Sequence, residues 1–212
     1  FGIEKKIRVI PNFVDIDRFR QRDNHCNLTN FVNDDEKVIV HVSNFRPVKR
    51  IGDIIRMYAE MCHRVKCKLL LVGEGPQLIP MQELVSKLGL QDGVIFLGEQ
   101  QGVDQILSCS DLYLLPSEQE SFGLSAFEAM SCSLPVIGTN VGWLPELVKH
   151  GETGYITEVG DVHQMAEHAT NLLVNDSLRK RIGRQARQRV LANFTEKRVV
   201  SQYESYYKEI LG

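Results

Sequence analysis

Two glutamates eight positions apart and a short run of cations are the residues whose types and spacing suggest chemistry. Glu120 and Glu128 flank the start of a predicted helix, and Arg46, Lys49 and Arg50 lie within one strand-to-helix turn. Carboxylates accept hydrogen bonds from ribose hydroxyls in dinucleotide folds. Cations at a helix start can neutralise a phosphate group. The set therefore indicates a ligand that carries both hydroxyl and phosphate groups.

The basic turn, residues 43–50, allows two interpretations. A diphosphate leaving group gains negative charge as its bond to a sugar breaks, and Arg46 and Lys49 would stabilise that charge without a metal. A run of cations at a turn is, however, usually a solvated surface feature. The turn taken alone does not decide between these readings.

The segment 118–128 is equally open to a structural reading. Glu128, two turns into the predicted helix, could hold two ribose hydroxyls. Free backbone N–H groups that form an anion site are expected on Phe122, Gly123 and Leu124. Against this, Ser117 with Glu120 and Ser125 with Glu128 both fit the capping-box pattern, which stabilises a helix start.

Two glycine-containing loops complete the candidate region. The turn Gly73-Glu-Gly-Pro76 includes Gly75 and allows close approach of backbone to a ligand, although it suits any tight turn. The loop 138–143 ends a predicted strand with small residues and the only tryptophan. For Trp143, packing in the core or under a lid is favoured over stacking on a ligand.

Strand and helix patterns alternate along the chain. Strands are predicted at 37–44, 68–73, 94–97, 111–115 and 135–138, and helices at 51–62, 77–88, 103–109 and 122–132. No strand is predicted beyond 160, where helices at 161–174, 176–193 and 196–211 have Asp161, Asp176 and Thr195 as candidate N-caps. The pattern predicts an α/β, Rossmann-like, doubly wound parallel sheet with a helical C-terminal tail. The 212 residues are expected to form one domain, with a core over about 1–160 and C-terminal helices over 161–212.

Composition excludes several classes. Twenty-five Lys and Arg against 27 Asp and Glu argue against a nucleic-acid-coating domain. No segment approaches ~20 apolar residues, so no membrane span is expected. Five cysteines without metal-ligand spacing predict free thiols in the cytoplasm and no metal site. The basic stretch 178–191 is expected to be a solvated helix face rather than a stripe that meets an anionic membrane.

Together and in this order, these segments resemble the C-terminal domain of the retaining glycosyltransferases of family four, which have the GT-B fold. The resemblance covers nearly the whole chain and rests on the following segments: Ile10-Pro-Asn-Phe-Val-Asp15, Arg46-Pro-Val-Lys49, Gly73-Glu-Gly-Pro76, Val94-Ile-Phe-Leu-Gly98, Pro116-Ser-Glu-Gln-Glu-Ser-Phe-Gly123, Glu128-Ala-Met, Pro135-Val-Ile-Gly138 and Glu146–Gly154. Glu120 and Glu128 match the paired glutamates of that family, which reduces the capping boxes to a minor contribution.

The resemblance implies a role for each site residue. Glu128 would hold the ribose of a nucleotide-sugar, a UDP-sugar by resemblance, and Glu120 would contact the transferred sugar. Arg46 and Lys49 would neutralise the diphosphate, with the amides of 122–124 nearby. The loop 98–101, including Gly98 and Glu99, would border the base. No cofactor or metal is implied. The acceptor would be held by an N-terminal domain that this chain does not contain, so the isolated chain is expected to bind donor and transfer little.

The chain departs from the family where the first strand ends. The family usually has Gly-Arg there, whereas this sequence has Ser43-Asn44, with Arg46 two residues later. This variant looks most like the glucosaminyl-malate synthases, which implies UDP-N-acetylglucosamine as donor and L-malate as acceptor. Two alternatives stay open, a UDP-sugar 2-epimerase with the same donor domain and a flavodoxin-like interaction domain without enzymatic activity.

Overall fold

The computed structural model describes residues 7–22, 28 and 31–211. Its centre is one parallel sheet of six strands in the order β3-β2-β1-β4-β5-β6. The strands are β1 (Lys37–Val42), β2 (Cys67–Val72), β3 (Val94–Gly98), β4 (Leu112–Leu115), β5 (Val136–Thr139) and β6 (Gly154–Thr157). This is the strand order of Rossmann folds, so the predicted doubly wound fold is confirmed.

Helices cover both faces of the sheet. They are α1 (Ile51–Met61), α2 (Leu78–Lys87), α3 (Val103–Ser108), α4 (Leu124–Ser131), α5 (Leu144–Leu147), α6 (Val162–Val174), α7 (Asp176–Asn193) and α8 (Glu196–Leu211), with a 3-10 turn at Pro47–Lys49. One apolar cluster lies under α1 and α6, and a second lies under α4 and α7. Strand residues alternate between the two clusters: Ile39 faces the first and Val40 the second. Burial on both faces explains why the strands read as nearly continuous apolar runs.

Several boundaries differ from the sequence prediction. The short edge strand β6 was missed because it begins at Gly154, in a segment that reads as a turn; its pairing with β5 makes it a strand. Helix α4 begins at Leu124 rather than 122, since Gly123 adopts a left-handed conformation and is the N-cap. The N-cap of α7 is Asn175, whose side chain accepts from the Leu178 amide, and not Asp176. Asp161 caps α6 as predicted.

The basic stretch 178–191 of α7 is only partly the solvated face that the sequence predicted. Lys180, Arg181 and Arg184 are exposed as expected. Arg179, however, is buried and pairs with Asp111 at 3.1 Å. The guanidinium groups of Arg187 and Arg189 donate to backbone carbonyls of the domain, at the ends of α4 and α5 respectively. These arginines attach the C-terminal helices to the core, an arrangement that periodicity along one helix does not reveal.

The sheet order places a crevice at one point. Strand β1 pairs with β2 on one side and β4 on the other, so the direction of winding reverses between β1 and β4. Ligands of such sheets bind beyond the carboxyl ends of the strands at this position. The loops that follow β1 and β4 are the basic turn, 43–50, and the segment 116–123, so the topology brings the two charged segments together. Among the described residues, no helix is long and apolar enough to cross a membrane.

Candidate functional site

Two adjoining cavities lie beyond the carboxyl ends of β1 and β4. Their volumes are about 560 and about 580 Å³, and they share four lining residues: Asn44, Lys49, Glu120 and Ser121. The first cavity, here the outer cavity, also reaches Arg46; the second, the inner cavity, reaches Glu128. A cavity of similar volume lies beside α8 and not at the switch point, the place between β1 and β4 where the winding of the sheet reverses. The site is therefore identified by its position and its side chains rather than by its volume.

Lys49 and Glu120 form an ion pair that joins the two charged segments. The Lys49 ammonium donates to Glu120 Oε2 at 2.6 Å, and the two side chains are only 19% and 12% exposed. Glu120 also accepts from the Ser117 hydroxyl and from the Gly123 amide, each at 3.3 Å. Three donors therefore restrain this carboxylate in one orientation between the basic turn and helix α4.

Gly142 fixes the backbone at Glu120 from the other side. Its φ is +53°, and a Cβ at this position would lie 1.6 Å from the Glu120 carbonyl oxygen. Only glycine allows this approach of the 138–143 loop to the 116–123 segment. The sequence flagged the small residues of this loop, but the contact that requires Gly142 appears only in the fold.

The start of α4 offers backbone donors, although Gly123, one of the three predicted amides, is not among them. The Gly123 amide is occupied by Glu120 Oε1. Because α4 begins at Leu124, the amides of Leu124 and Ser125 have no intrahelical acceptor, and neither has another acceptor among the described residues. These two N–H groups open the helix at the edge of the inner cavity, where the helix dipole favours negative charge.

Glu128 is a half-buried carboxylate on the inner cavity. Burial raises its pKa to about 7, and the positive charge of Arg18 opposes that rise. No hydrogen bond or ion pair connects its carboxylate to the described part of the chain. The capping-box reading is wrong, because Gly123 is the N-cap and no side chain caps α4. The Glu128 carboxylate is thus an acceptor without a hydrogen-bond or ion-pair partner among the described residues.

Arg46 and Arg50 differ in availability. Arg46 is exposed on the outer cavity, and within the described chain its guanidinium pairs with no carboxylate. Arg50 Nε donates to Asp53 at 2.6 Å, in the first turn of α1. Arg46 and Lys49 are therefore the two cations of the turn that face the cavities.

Gly75, Gly98 and Glu99 line neither cavity. Strand β3 lies two positions from β1, roughly 10 Å across the sheet. A Cβ on Gly75 would lie 2.8 Å from the Phe45 amide nitrogen, so this glycine packs against the basic turn. The structure does not bring these three residues to the Lys49–Glu120 pair, and their predicted roles beside the ligand stay predictions.

Trp143 packs as the sequence analysis favoured. Its ring lies 5.2 Å from that of Phe122 and 5.9 Å, nearly parallel, from that of Phe127. Phe194 approaches it edge-on at 5.5 Å. The aromatic group closes the core beneath the 138–143 loop.

Four cysteines lie within the described residues. Cys67 and Cys132 are buried, and burial raises the pKa of each thiol to about 12. Cys62 and Cys109 are half-buried, and Cys26 lies outside the described residues. Within the described ranges, no group of three His, Cys, Asp or Glu side chains could hold a metal ion.

A histidine beneath the site was missed by the sequence analysis. His41 is fully buried in β1; its Nδ1 lies 2.8 Å from the Leu114 carbonyl oxygen and its Nε2 lies 2.7 Å from Ser43 Oγ. Burial lowers the pKa of His41 to about 4. The only signal in the sequence is a polar residue inside an otherwise apolar strand.

Comparison with known proteins agrees with this geometry. The family described as "Glycosyl transferases group 1" matches residues 29–189. N-acetyl-alpha-D-glucosaminyl L-malate synthase of Bacillus anthracis is 43% identical over 98% of this chain and 55% of its own length. Sucrose-phosphate synthase from Thermosynechococcus elongatus has a TM-score of 0.88 at 27% identity, over 96% of this chain and 52% of that one. Anabaena HepE in complex with UDP-glucose has a TM-score of 0.87 at 25% identity, over 95% and 57%.

A Rossmann-like sheet with a charged crevice where the winding reverses is the arrangement in which doubly wound domains bind ligands. The family match covers most of the chain, and the chain therefore belongs to the group 1 glycosyltransferases and has a Rossmann-like domain of the GT-B type. It spans about half the length of the curated relatives that it matches.

Proposed function

We propose that this chain is the donor-binding domain of a retaining, metal-independent glycosyltransferase whose donor is UDP-N-acetylglucosamine and whose acceptor is L-malate. The observation that carries the donor assignment is the placement of Lys49, Glu120 and Glu128 around one inner cavity at the switch point. The choice of sugar and acceptor is supported by the 43% identity to the malate synthase.

Each residue has a role that follows from its place. Glu128, whose carboxylate has no hydrogen-bond partner in the described part of the chain, accepts hydrogen bonds from the two ribose hydroxyls. Lys49, with Arg46 at the rim, neutralises the diphosphate, whose negative charge grows as the glycosidic bond breaks. The amides of Leu124 and Ser125 add donors toward the same anion. The ion pair with Glu120, at 2.6 Å, places the Lys49 ammonium on the wall that the two cavities share.

Retention follows if the acceptor attacks the face from which the diphosphate leaves. Glu120, restrained by three donors, orients the transferred sugar. The cations supply the charge stabilisation that a divalent metal provides in other phosphate sites. The chain spans about half the length of the malate synthase that it resembles, and we place the acceptor in the part of the full-length protein that corresponds to the other half.

Calorimetric titration with UDP tests the proposal. UDP is expected to bind with equal affinity in Mg²⁺ and in EDTA, and at a hundred times the dissociation constant it should stabilise the chain by about 2.7 kcal/mol. A strict Mg²⁺ requirement would contradict the metal-independent site. No affinity for UDP, GDP or ADP would favour the interaction-domain alternative. Product formation from UDP-sugar alone, in the full-length protein without acceptor, would favour the 2-epimerase.

A further inference from the structure

His41 and Ser43 form a hydrogen-bonded pair at the floor of the inner cavity. The Ser43 hydroxyl lies 2.7 Å from His41 Nε2, and Ser43 lines the inner cavity together with Lys49, Glu120 and Glu128. His41 itself is shielded from solvent within β1. The pair occupies the position where the sequence departs from its family, at the end of the first strand.

The direction of these hydrogen bonds follows from chemistry. The Leu114 carbonyl oxygen can only accept, so the His41 Nδ1 that lies 2.8 Å from it must carry a proton. Burial keeps the ring neutral near pH 7 by lowering the pKa of His41, and a neutral ring has one N–H. His41 Nε2 is therefore an acceptor, and the Ser43 hydroxyl must donate to it.

This direction restricts what Ser43 can offer to a ligand. A serine hydroxyl has one proton and two lone pairs, and its proton is directed into the sheet toward His41. Ser43 Oγ therefore presents only lone pairs to the cavity. Lone pairs disfavour an anionic phosphate and favour a neutral donor group, such as a hydroxyl.

We infer that Ser43 is a specificity-determining acceptor for one hydroxyl group of the donor sugar, and that His41 is the residue that positions it. The inference rests on the proposed function, because the sugar is that of the bound nucleotide-sugar. Among the polar groups of the inner cavity, Glu120 and Glu128 are carboxylates and Lys49 is a donor. Ser43 adds an uncharged acceptor that is oriented before the ligand binds.

Titration with analogues of the donor tests Ser43. The ligands are UDP, UDP-N-acetylglucosamine, and forms of the latter in which the 3-, 4- or 6-hydroxyl is replaced in turn by fluorine, which cannot donate. Wild type should lose roughly tenfold in affinity for one of the three analogues. Ser43→Ala should bind UDP as wild type does and lose that discrimination. The matched control, Ser86→Ala, changes an exposed serine of α2 that lines neither cavity and should retain it.

Three outcomes separate the inference from the proposed function. If wild type binds no UDP, the proposed function fails. If UDP binds normally and Ser43→Ala discriminates as wild type does, the inference is overturned and the proposed function stands. If Ser43→Ala loses UDP and UDP-sugar by the same factor, Ser43 contacts the nucleotide, which also overturns the inference.

The tautomer of His41 provides a test without a variant. Nitrogen-15 NMR of histidine-labelled wild-type chain should show the Nδ1–H tautomer of His41 at pH 7. An Nε2–H tautomer or a protonated ring would overturn the inference, since the Ser43 proton would then be free to face the cavity. His41→Phe, where it folds, should reduce the penalty for the sensitive fluorinated analogue, because the Ser43 hydroxyl is released.

Discussion

Replacing Glu128 by glutamine is expected to stabilise the ligand-free chain at pH 8 while weakening its affinity for UDP. The carboxylate is half-buried and has no hydrogen-bond partner within the described ranges, and burial raises its pKa from the ordinary 4.5 to about 7. A glutamine of the same shape carries no charge to bury. The variant therefore separates the effect of this side chain on the stability of the fold from its effect on the affinity for UDP.

The magnitude follows from linkage between protonation and folding. Folded chain binds a proton at Glu128 more tightly than unfolded chain, so this residue contributes stability that is fully present below pH 4.5 and is lost as pH rises through about 7. The difference between the pKa of Glu128 in the folded chain and in the unfolded chain corresponds to about 3 kcal/mol of unfolding free energy. Glu128→Gln should therefore equal wild type near pH 4.5 and exceed it by up to about 3 kcal/mol at pH 8.

His41 offsets the contribution of Glu128 to the pH dependence of wild-type stability. Its pKa falls from the ordinary 6.5 to about 4, so its contribution is fully present above pH 6.5 and is lost as pH falls toward 4. The opposing slopes of Glu128 and His41 nearly cancel between pH 4.5 and 6.5. The stability of Glu128→Gln should consequently rise with pH across that window more steeply than that of wild type.

Urea unfolding of both proteins from pH 4.5 to 8 measures the difference, with Glu118→Gln, an exposed glutamate of the same loop region, as control. Parallel profiles of wild type and Glu128→Gln would refute the assignment of a raised pKa to Glu128. UDP-glucose, whose diphosphate is esterified at both ends, should bind wild type less tightly as pH falls below 7, and the variant should show a flat dependence.

Three further variants probe the ion pair and its support. Lys49→Ala in the full-length enzyme should remove about 2–4 kcal/mol of transition-state stabilisation and lower kcat as well as raise KM; an unchanged kcat would make Lys49 a structural residue. Glu120→Ala should leave UDP affinity nearly intact but weaken UDP-sugar binding, by titration, and the reverse pattern would exchange the roles of Glu120 and Glu128. Gly142→Ala places a Cβ against the Glu120 carbonyl oxygen, so it should lower the melting temperature and weaken UDP-sugar more than UDP; a variant with wild-type stability and affinity would show that the loop relaxes freely.

Apolar runs and the loops after them determined the fold class and the region of the site. Strands such as Cys67–Val72 read correctly because burial on both faces demands continuous apolar side chains, a property local to each strand. The charged loops were placed at one edge because parallel strands end on the same side. The pair Glu120 and Glu128 and the cation Lys49 were identified by type and spacing, and the structure places all three on one cavity.

Tertiary structure alone decided how these groups meet. Lys49 and Glu120 are 71 positions apart, and their ion pair exists because β1 and β4 are neighbours in the sheet. The raised pKa of Glu128 depends on the burial of its carboxylate, and burial is a property of the packed chain rather than of residue type. Strand β6 similarly exists through its pairing with β5. The sequence by itself determined which groups the site contains. The packing of distant segments decided the distances, charges and hydrogen-bond directions of these groups, because each of these depends on neighbours that are remote along the chain.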